Sequence, residues 1–278
     1  MPDRALPSLP FMKMHGLGND FVVIDTRAGG VEPDARLAVA LADRRTGVGF
    51  DQLAVISADP GADLRLAFLN ADGSPSAACG NATRCIARHE MERTGKRALS
   101  IATPRGLLQA VDAGSGLTSV NMGMPRLDWQ EIPLAREADT MSLPIEGAPV
   151  ATSMGNPHCT FFVEDVAAVD LERFGPEHEH HPLFPERTNV QVVQVIGPDH
   201  LRMRVWERGT GITPASGSSS CAVTVAAVRR GLTGRKVTLD CDGGRLRLDW
   251  REDGVWMTGP TVTVFDGRLT AEFLAAAT

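Results

Sequence analysis

The strongest constraint on the fold is a set of glycine and polar residues that recurs after 137 positions in this 278-residue chain. The recurring pairs are Gly18 and Gly155, Asn19 and Asn156, Gln52 and Asn189, Asn70 and Glu207, Cys79 and Ser216, and Gly80 and Gly217. Packing of an apolar core does not require amide side chains at fixed spacings. The repeat therefore predicts two duplicated domains whose polar residues face one cleft.

Each half carries a small side chain directly before a glycine and a run of residues suited to a helix. Cys79 precedes Gly80 and the run 82–93, and Ser216 precedes Gly217 and a similar run. We expect both side chains at helix N-termini, where the helix dipole and the backbone N–H groups favour a thiolate and a bound anion. A single free cysteine is more often a small buried apolar residue, so it is the repeat that favours function.

Two helix N-termini that face one cavity suit proton transfer at the α-carbon of an amino acid. Residues 79 and 216 would flank that carbon from opposite sides, while backbone N–H groups bind a carboxylate between the helices. Those N–H groups belong to Gly80, Asn81, Gly217 and Ser218. Cysteine suits both removal and return of the proton, because its ordinary pKa of about 8.5 makes thiol and thiolate accessible near neutral pH.

Further polar residues predict a small-molecule substrate with an amino acid group at each end. Arg208 suits a carboxylate through a bidentate pair, and Glu207 suits an ammonium group. A mutual ion pair between these two neighbours on the surface is the alternative. Neutral side chains that would orient the substrate are Asn70, Asn156 and Asn189.

Composition argues against several classes of partner. The net charge is −6 with scattered basic residues, which does not suit nucleic acid. The longest stretch without Asp, Glu, Lys or Arg, residues 209–228, is rich in Ser, Thr and Gly and would be a poor membrane span. Five cysteines without a signal peptide suggest reduced thiols in the cytoplasm. The histidine run at residues 178–181 is expected to be a solvated, proline-flanked loop that binds no metal.

Several motifs resemble those of the diaminopimelate epimerase family. They are KMHGLGNDF at 13–21, NADGS at 70–74, CGNATRC at 79–85, GNPH at 155–158, RTN at 187–189 and ERG at 207–209. The resemblance runs from Phe11 to Leu269. It implies an α/β (α+β) fold of two pseudo-symmetric domains, each a mostly antiparallel, barrel-like sheet around a central helix. The domains would comprise residues 1–124 with 267–278, and residues 125–266, with the active site in the cleft between them.

The resemblance also implies an activity and a set of site residues. The activity is interconversion of LL- and meso-2,6-diaminopimelate in lysine biosynthesis, with no cofactor and without PLP, usually in a homodimer. Positions 79 and 216 would be catalytic. The substrate-binding residues would be Asn19, Gln52, Asn70, Gly80, Asn81, Asn156, Asn189, Glu207, Arg208, Gly217 and Ser218. His158 would lie near the reacting carbon and support the site, and hydrogen bonding within its own loop is the alternative.

Position 216 departs from the family, whose second catalytic cysteine stands where this chain has serine. A serine hydroxyl ionises far less readily than a thiol, so Ser216 would relay a proton or donate a hydrogen bond but would be a poor base. Ala82 and Ser219 stand where the family commonly has glycine, and Pro75 where it commonly has glutamate. Such clustered differences fit natural divergence better than one engineered change.

Three functions stay open at this point. The first is a diaminopimelate epimerase of reduced rate, with Cys79 as its competent base. The second is another amino acid racemase, or a one-base lyase, of the proline racemase-like superfamily. The third is a catalytically silent protein that binds a diamino dicarboxylic acid. Glu207, Arg208 and the asparagines favour diaminopimelate over proline-type ligands, because a ring amino acid offers these side chains nothing to hold.

Overall fold

The computed structural model describes residues 8–29, 31–76 and 79–277, and within these ranges the chain forms seventeen β-strands and five α-helices. The earlier strands are β1 (Leu9–Gly16), β2 (Asn19–Asp25), β3 (Gln52–Ser57), β4 (Leu64–Asn70), β5 (Pro75–Ser76), β6 (Ala98–Thr103), β7 (Gly106–Gly114) and β8 (Leu117–Asn121). The later strands are β9 (Val150–Ser153), β10 (Pro157–Phe162), β11 (Asn189–Gly197), β12 (His200–Glu207), β13 (Gly211–Thr213), β14 (Lys236–Cys241), β15 (Gly244–Arg251), β16 (Gly254–Gly259) and β17 (Val262–Leu269). The helices are α1 (Ala35–Ala42), α2 (Gly80–Thr94), α3 (Leu171–Glu179), α4 (Gly217–Arg229) and α5 (Ala271–Ala277).

Contacts between residues divide the chain into two units. The first contains the residues up to Gly16, Asp20–Thr118 and the residues from Thr261 onward, and the second contains Leu17–Asn19 and Ser119–Pro260. Each unit has its own cluster of buried apolar side chains. The domain boundaries expected at residues 124 and 266, and the cleft between the domains, stay predictions. No helix in the described ranges is long and apolar enough to cross a membrane.

Helix α2 is the centre of the first unit. Cys79 is its N-cap, and Gly95 ends it in the left-handed conformation with a φ of 72°. Residues 81–87 are buried without interruption, and strands β1, β6 and β7 pack against the helix. A helix that is buried on every side must be surrounded by other elements. The predicted helix N-terminus at Cys79 and the predicted sheet around a central helix are thereby confirmed.

Helix α4 has the same place in the second unit. Residues 219–227 are buried without interruption, and strands β9, β10, β11, β15 and β16 pack against the helix. Along these residues the helix is therefore buried all round. Its polar side chains tolerate this burial because they bond within the helix: the Ser220 and Thr224 hydroxyls donate to the carbonyl oxygens of Ser216 and Ser220 at 2.7 and 3.0 Å.

The strand pairings repeat with the spacing found in the sequence. Residues that oppose each other in strands of the first unit have counterparts, 137 positions later, that oppose each other in the second. Phe21 opposes Gln52 as His158 opposes Asn189, and Leu53 opposes Leu69 as Val190 opposes Trp206. Phe68 likewise opposes Ser76 as Val205 opposes Thr213. The hairpins β6–β7 and β14–β15 repeat after 138 positions, since Ala98 opposes Val111 and Lys236 opposes Asp249. Two copies of one α+β arrangement therefore make up the chain, with antiparallel pairings predominating.

The structure corrects part of the expectation for the histidine run at residues 178–181, which was a solvated loop. His180 follows helix α3 and is exposed, but the run begins inside the helix. His178 lies in the last turn of α3, where it is buried and its Nδ1 bonds to the Phe174 carbonyl oxygen at 2.8 Å. Its ring stacks on that of Phe174 with the centroids 4.0 Å apart. Pro176 lies inside the helix without ending it, because proline removes one backbone hydrogen bond while these aromatic contacts hold the turn.

A buried carboxylate ties α2 to the segment after β2. The Glu90 side chain, 2% exposed, accepts two hydrogen bonds of 2.8 Å from the Arg27 guanidinium and is also paired with Arg93. Burial by itself raises the pKa of Glu90, but the hydrogen bonds from Arg27 and Arg93 outweigh burial and bring the pKa down to about 2. This ion pair is a fixed charge inside the first unit.

We expect Glu90→Gln to destabilise the protein by about 2 to 3 kcal/mol at pH 7, because it leaves the partly buried Arg27 without its strongest partner. The folded-state pKa lies below the ordinary value of 4.5, so this stability is full above pH 4.5 and is lost as the pH falls toward about 2. Calorimetric melting across that range should therefore show a steeper loss in the wild type than in the variant.

The matched control is Glu92→Gln on the same helix, whose side chain is 61% exposed and pairs with Arg88. Because exposed ion pairs are worth roughly 0.5 kcal/mol or less, this change should leave melting almost unaltered. Equal melting curves for Glu90→Gln and the wild type would contradict the assignment.

Candidate functional site

The predicted site residues fall into two groups, one in each unit. The first unit carries Gln52, Asn70, Cys79, Gly80 and Asn81. The second carries Asn19, Asn156, His158, Asn189, Glu207, Arg208, Ser216, Gly217 and Ser218. Within each group the side chains come from strand ends and from the N-terminus of the central helix, which is where the repeat predicts them.

Cys79 is held by the first turn of α2. Its backbone is extended, with φ −142° and ψ 97°, and its sulfur accepts a hydrogen bond from the Ala82 N–H at 3.4 Å. The Thr83 hydroxyl and N–H both donate to the Cys79 carbonyl oxygen at 2.9 Å, which fixes the backbone of the cap. A sulfur in this place faces the positive end of the helix dipole, and that field stabilises a thiolate.

Three other thiols lie in surroundings that keep them protonated. Burial raises the pKa of Cys85 to about 11 and that of Cys241 to about 11, and it raises the pKa of the fully buried Cys159 further still. Thiols with raised pKa values are poor acids and poor nucleophiles near neutral pH. By this comparison Cys79, at its helix N-terminus, is the thiol best suited to chemistry.

Gln52 and Asn70 come together at the ends of β3 and β4, where they oppose each other in the strand register. The Gln52 amide donates to Asn70 Oδ1 at 3.2 Å and to the Ser76 hydroxyl at 3.0 Å. Asn70 in turn donates to the Ser74 hydroxyl at 3.0 Å, across the tight turn of the NADGS motif. The two amides therefore form one hydrogen-bonded group in the first unit.

A charged network that sequence reasoning missed holds the neighbours of two predicted site residues. Lys13 donates to Asp20 at 2.5 Å, and Arg44 bridges Asp20 and Asp51 at 2.8 and 2.9 Å. Burial raises the pKa of Asp20, but the hydrogen bonds from Arg44 and Lys13 give a net lowering. Asp20 follows Asn19 and Asp51 precedes Gln52, so the network fixes the backbone beside both. The opposite charges of Lys13 and Asp20, both within the 13–21 motif, were the sequence feature that could have indicated this network.

The glycines of the first loop serve close packing. A Cβ at Gly16 would lie 2.8 Å from Arg84 Nη2, and one at Gly18, whose φ is +83°, would lie 3.3 Å from the Pro214 ring. A side chain at Gly16 would therefore displace the end of the Arg84 side chain, whereas at Gly18 the left-handed backbone favours glycine and the Pro214 ring leaves little room.

Ser216 and Glu207 are brought together in the second unit. Ser216 is the N-cap of α4, but its side chain makes no capping hydrogen bond. Its hydroxyl instead donates to Glu207 Oε2 at 2.7 Å, while the Thr213 hydroxyl donates to Glu207 Oε1 at 2.6 Å. The two helix N-caps thus differ: the Cys79 sulfur turns to its own helix, whereas the Ser216 hydroxyl turns to a carboxylate.

Asn189 and Arg208 are also linked. The Arg208 N–H donates to Asn189 Oδ1 at 3.0 Å, and Asn189 donates to the Pro157 carbonyl oxygen at 2.9 Å. The Arg208 guanidinium donates to the Glu186 carbonyl oxygen at 3.0 Å. Arg208 thus contacts Asn189 and Glu186, while Glu207 contacts Ser216 and Thr213. Asn189 holds the backbone from which Arg208 projects.

His158 belongs to a buried polar chain. Its Nε2 lies 3.0 Å from Asn156 Oδ1, and its Nδ1 accepts from the Gln191 amide at 3.1 Å, so the ring proton is on Nε2 and points to Asn156. The same amide donates to the Ser219 hydroxyl at 3.1 Å. The hydrogen bond within its own loop that the sequence left open is present. Sequence reasoning missed Gln191, although Ser219 was noted as unusual.

The described ranges contain no group of three or more His, Cys, Asp or Glu side chains placed to hold a metal ion. Within the histidine run, His178 is buried against the rings of Phe161 and Phe174, and its Nδ1 bonds to the Phe174 carbonyl oxygen.

We expect iodoacetamide to alkylate Cys79 at least about tenfold faster than Cys241 at pH 7.5, because only the thiolate reacts and the Cys241 pKa is raised to about 11. Cys241 is a matched control, since both residues are 7% exposed. Mass spectrometry of the two tryptic peptides over time measures the ratio. Similar rates for both would show that the α2 N-terminus does not activate Cys79.

Comparison with known sequences agrees with both halves of the repeat. The family model described as diaminopimelate epimerase matches residues 11–127 and 150–264. A diaminopimelate epimerase of Rhodospirillum centenum is 51% identical over 271 residues, covering 95% of this chain and 93% of that protein. Another, of Acidiphilium cryptum, is 51% identical over 271 residues, covering 96% and 98%.

Solved structures with the same fold share little sequence with this chain. A phenazine biosynthesis protein of the PhzF family from Bacillus anthracis matches with a TM-score of 0.67 at 15% identity, covering 94% of this chain and 99% of that one. A hydroxyproline epimerase from Agrobacterium vitis, with bound trans-4-hydroxy-L-proline, matches with a TM-score of 0.67 at 15% identity, covering 95% and 92%. These likenesses show the fold alone. The family model across both halves and the 51% identity over nearly the whole chain show that this chain belongs to the diaminopimelate epimerase family.

Proposed function

We propose that this protein is a diaminopimelate epimerase, an isomerase that interconverts LL- and meso-2,6-diaminopimelate. The proton leaves the α-carbon from one face and returns on the other. The observation that carries the proposal is the Cys79 thiol at the N-terminus of α2, in a chain 51% identical to relatives of that name. A proline-type substrate is disfavoured, because Glu207 and Arg208 are kept and a ring amino acid would leave them unused.

Cys79 serves as one acid and base. As a thiolate it takes the α-proton, and the electron pair left on the carbon is delocalised into the substrate carboxylate. As a thiol it returns a proton to the same face in the reverse direction. The helix dipole and the hydrogen bond from Ala82 support the thiolate at neutral pH.

Ser216 serves as the second acid and base through Glu207. A free alkoxide is too unstable to act alone, but the hydroxyl already donates to Glu207 Oε2 at 2.7 Å. In one direction the Ser216 oxygen takes the α-proton while its own proton passes to the carboxylate. In the other, Glu207 returns that proton to the oxygen as the hydroxyl protonates the carbon. Both steps conserve charge and leave Ser216 neutral.

The remaining site residues bind the substrate. Arg208 pairs with the distal carboxylate of the substrate, and Glu207 accepts hydrogen bonds from the substrate ammonium group. The carboxylate at the reacting carbon takes backbone N–H groups from Gly80, Asn81, Gly217 and Ser218. The amides that orient the substrate are those of Asn19, Gln52, Asn70, Asn156 and Asn189, while His158 supports Asn156 by the hydrogen bond described above.

The reaction needs no cofactor in this proposal. A pyridoxal cofactor is held as a Schiff base by lysine, and the chain has lysine only at positions 13, 96 and 236. Lys13 and Lys96 are paired with Asp20 and Asp63, and none of the motifs at the two helix N-termini contains lysine. Borohydride treatment of the purified enzyme should accordingly leave its turnover unchanged.

A homodimer in the cytoplasm completes the proposal. Strand β17 presents Val262, Val264 and Phe265, which are 40%, 53% and 46% exposed, and an apolar stretch of this kind suits a second copy. Light scattering should give twice the chain mass of 29.7 kDa, and Val264→Glu should reduce it to the mass of one chain. The unbridged thiols suit a reducing compartment.

Turnover of LL-diaminopimelate in deuterated water tests the function. We expect label in both isomers, a rate raised about tenfold or more by Ser216→Cys, and a loss of about a hundredfold or more in Cys79→Ser, because a thiol is the better acid and base. Cys241→Ser is the matched control for removal of a thiol and should retain the wild-type rate. Isomers are separated by chromatography and deuterium is measured by mass spectrometry.

The alternatives give different outcomes in the same assay. Exchange without inversion would mean one working base, as in a lyase, and tight binding without exchange would mean a silent binding protein. If Ser216→Cys leaves the rate unchanged, position 216 is not on the proton path.

A further inference from the structure

Glu179 is a buried carboxylate that neither the repeat nor the family motifs singled out. It is the last residue of α3, and its side chain is 5% exposed. Its Oε2 accepts from the Trp206 indole N–H at 2.6 Å, and its Oε1 accepts from the Gly209 backbone N–H at 2.9 Å. The Arg187 guanidinium lies 3.5 Å from Oε1. A carboxylate with so little exposure requires such donors, since unpaired burial of its charge is costly.

The two short hydrogen bonds hold the two ends of one turn. Trp206 directly precedes Glu207, and Gly209 directly follows Arg208, so one carboxylate spans the dipeptide proposed to bind the substrate. The turn closes with a hydrogen bond of 3.0 Å from the Thr210 N–H to the Glu207 carbonyl oxygen. Glu207 is still part of β12, whereas Arg208 lies past the end of that strand. Arg208 therefore depends more on Glu179 than Glu207 does.

Helix α3 makes a firm support for this carboxylate. The Trp206 indole packs so closely on the helix that a Cβ at Gly175 would lie 2.4 Å from its ring. The His178 ring, one residue before Glu179, contacts the rings of Phe161 and Phe174. Because its neighbours are packed in this way, the Glu179 side chain has little freedom to move. The turn at residues 207–209, which it holds at both ends, is therefore rigid as well.

A second link joins Glu179 to Asn189. The Glu179 carbonyl oxygen accepts from the Thr188 N–H at 3.2 Å, and Arg187 has a left-handed backbone with a φ of 61°. That conformation is unfavourable for a residue other than glycine and needs support from its surroundings. Asn189, two residues on, accepts from the Arg208 N–H at 3.0 Å. Arg208 is thus held from both sides by segments that meet at Glu179.

We infer that Glu179 is a positioning residue that fixes the Arg208 turn for recognition of the distal carboxylate of the substrate. This inference rests on the proposed function for the identity of the substrate. A fixed backbone at Arg208 reduces the freedom that a bidentate guanidinium pair must lose on binding. The groups proposed to move the proton, Cys79 and the Ser216–Glu207 pair, make their contacts without Glu179. Glu179 should therefore govern substrate affinity and leave the chemical step almost unchanged.

The variant Glu179→Gln tests this separation. A glutamine amide accepts only through its oxygen, so its N–H groups would face either the Trp206 or the Gly209 donor and the turn would lose one end. We expect KM for LL-diaminopimelate to rise about tenfold or more with kcat within about threefold of the wild type, since misplacement of a binding group mainly weakens binding. A purely structural role would lower kcat through loss of folded enzyme and leave KM unchanged, and that result would overturn the inference.

Two controls sharpen the test. Glu177→Gln, at an exposed position two residues earlier on α3, should retain the wild-type KM and kcat. In an Arg208→Ala background, Glu179→Gln should cause little further rise in KM, because a residue that acts through Arg208 has no effect once Arg208 is absent. Multiplicative effects of the two changes would show that Glu179 does not act through Arg208.

Folding and function are separated by additional measurements. If Glu179→Gln does not fold, Glu179→Asp is used, which keeps the charge but shortens the reach; loss of folding in both would overturn a positioning role. Calorimetric titration with LL- and meso-diaminopimelate mixed at their equilibrium ratio measures affinity without net turnover. A wild type that binds but does not turn over refutes the proposed function, and the Kd values of the variants then decide the inference. A wild type that neither binds nor turns over refutes both.

Discussion

Burial of a helix on every side by strands is the constraint on which each unit depends. Because α2 and α4 have no exposed face along their first turns, their axes and their N-termini are fixed by the surrounding sheet. The position of the residue before each helix is then as well defined as that of a packed core residue. A thiol is thereby held at the positive end of a helix dipole, where the Ala82 N–H donates to its sulfur at 3.4 Å.

The same scaffold presents two different groups in the two units. At the first N-terminus stands a thiol, whose sulfur accepts a hydrogen bond from the first turn of the helix. At the second, a hydroxyl would be inert in that position, and the structure couples it to the Glu207 carboxylate. The departure at position 216 therefore places a hydroxyl hydrogen-bonded to a carboxylate where the first unit has a thiol. Ser219, which also departs from the family pattern, accepts a hydrogen bond from Gln191 at 3.1 Å.

Several polar side chains of the second unit form hydrogen bonds with other polar groups of the protein and hold them in place. Asn189 uses its amide on the backbone of Pro157 and Arg208, Gln191 orients His158, and Glu179 spans the turn that carries Arg208. Such support matters in a site for a flexible diamino dicarboxylic acid. An arginine that is mobile before binding would lose conformational entropy on binding, and this loss would weaken the affinity. Burial of these groups is tolerable since each has donors or acceptors nearby.

The sequence alone determined the features that recur locally or at a constant spacing. The repeat of 137 positions, the helix N-terminus at Cys79, the central helices, the strands that end at Asn70 and Glu207, and the family itself all follow from motifs and periodicity. The tertiary structure decided the contacts that join positions with no fixed spacing: Ser216 with Glu207, Gln191 with His158, and Glu179 with Trp206 and Gly209. It also decided that the histidine run begins inside a helix, with His178 buried, because aromatic packing from Phe161 and Phe174 outweighs the local signal of Pro176. Local propensity and residue spacing reflect contacts between neighbours in the chain. The hydrogen-bond partner of a buried polar side chain depends instead on which distant segment the tertiary packing brings within about 3 Å.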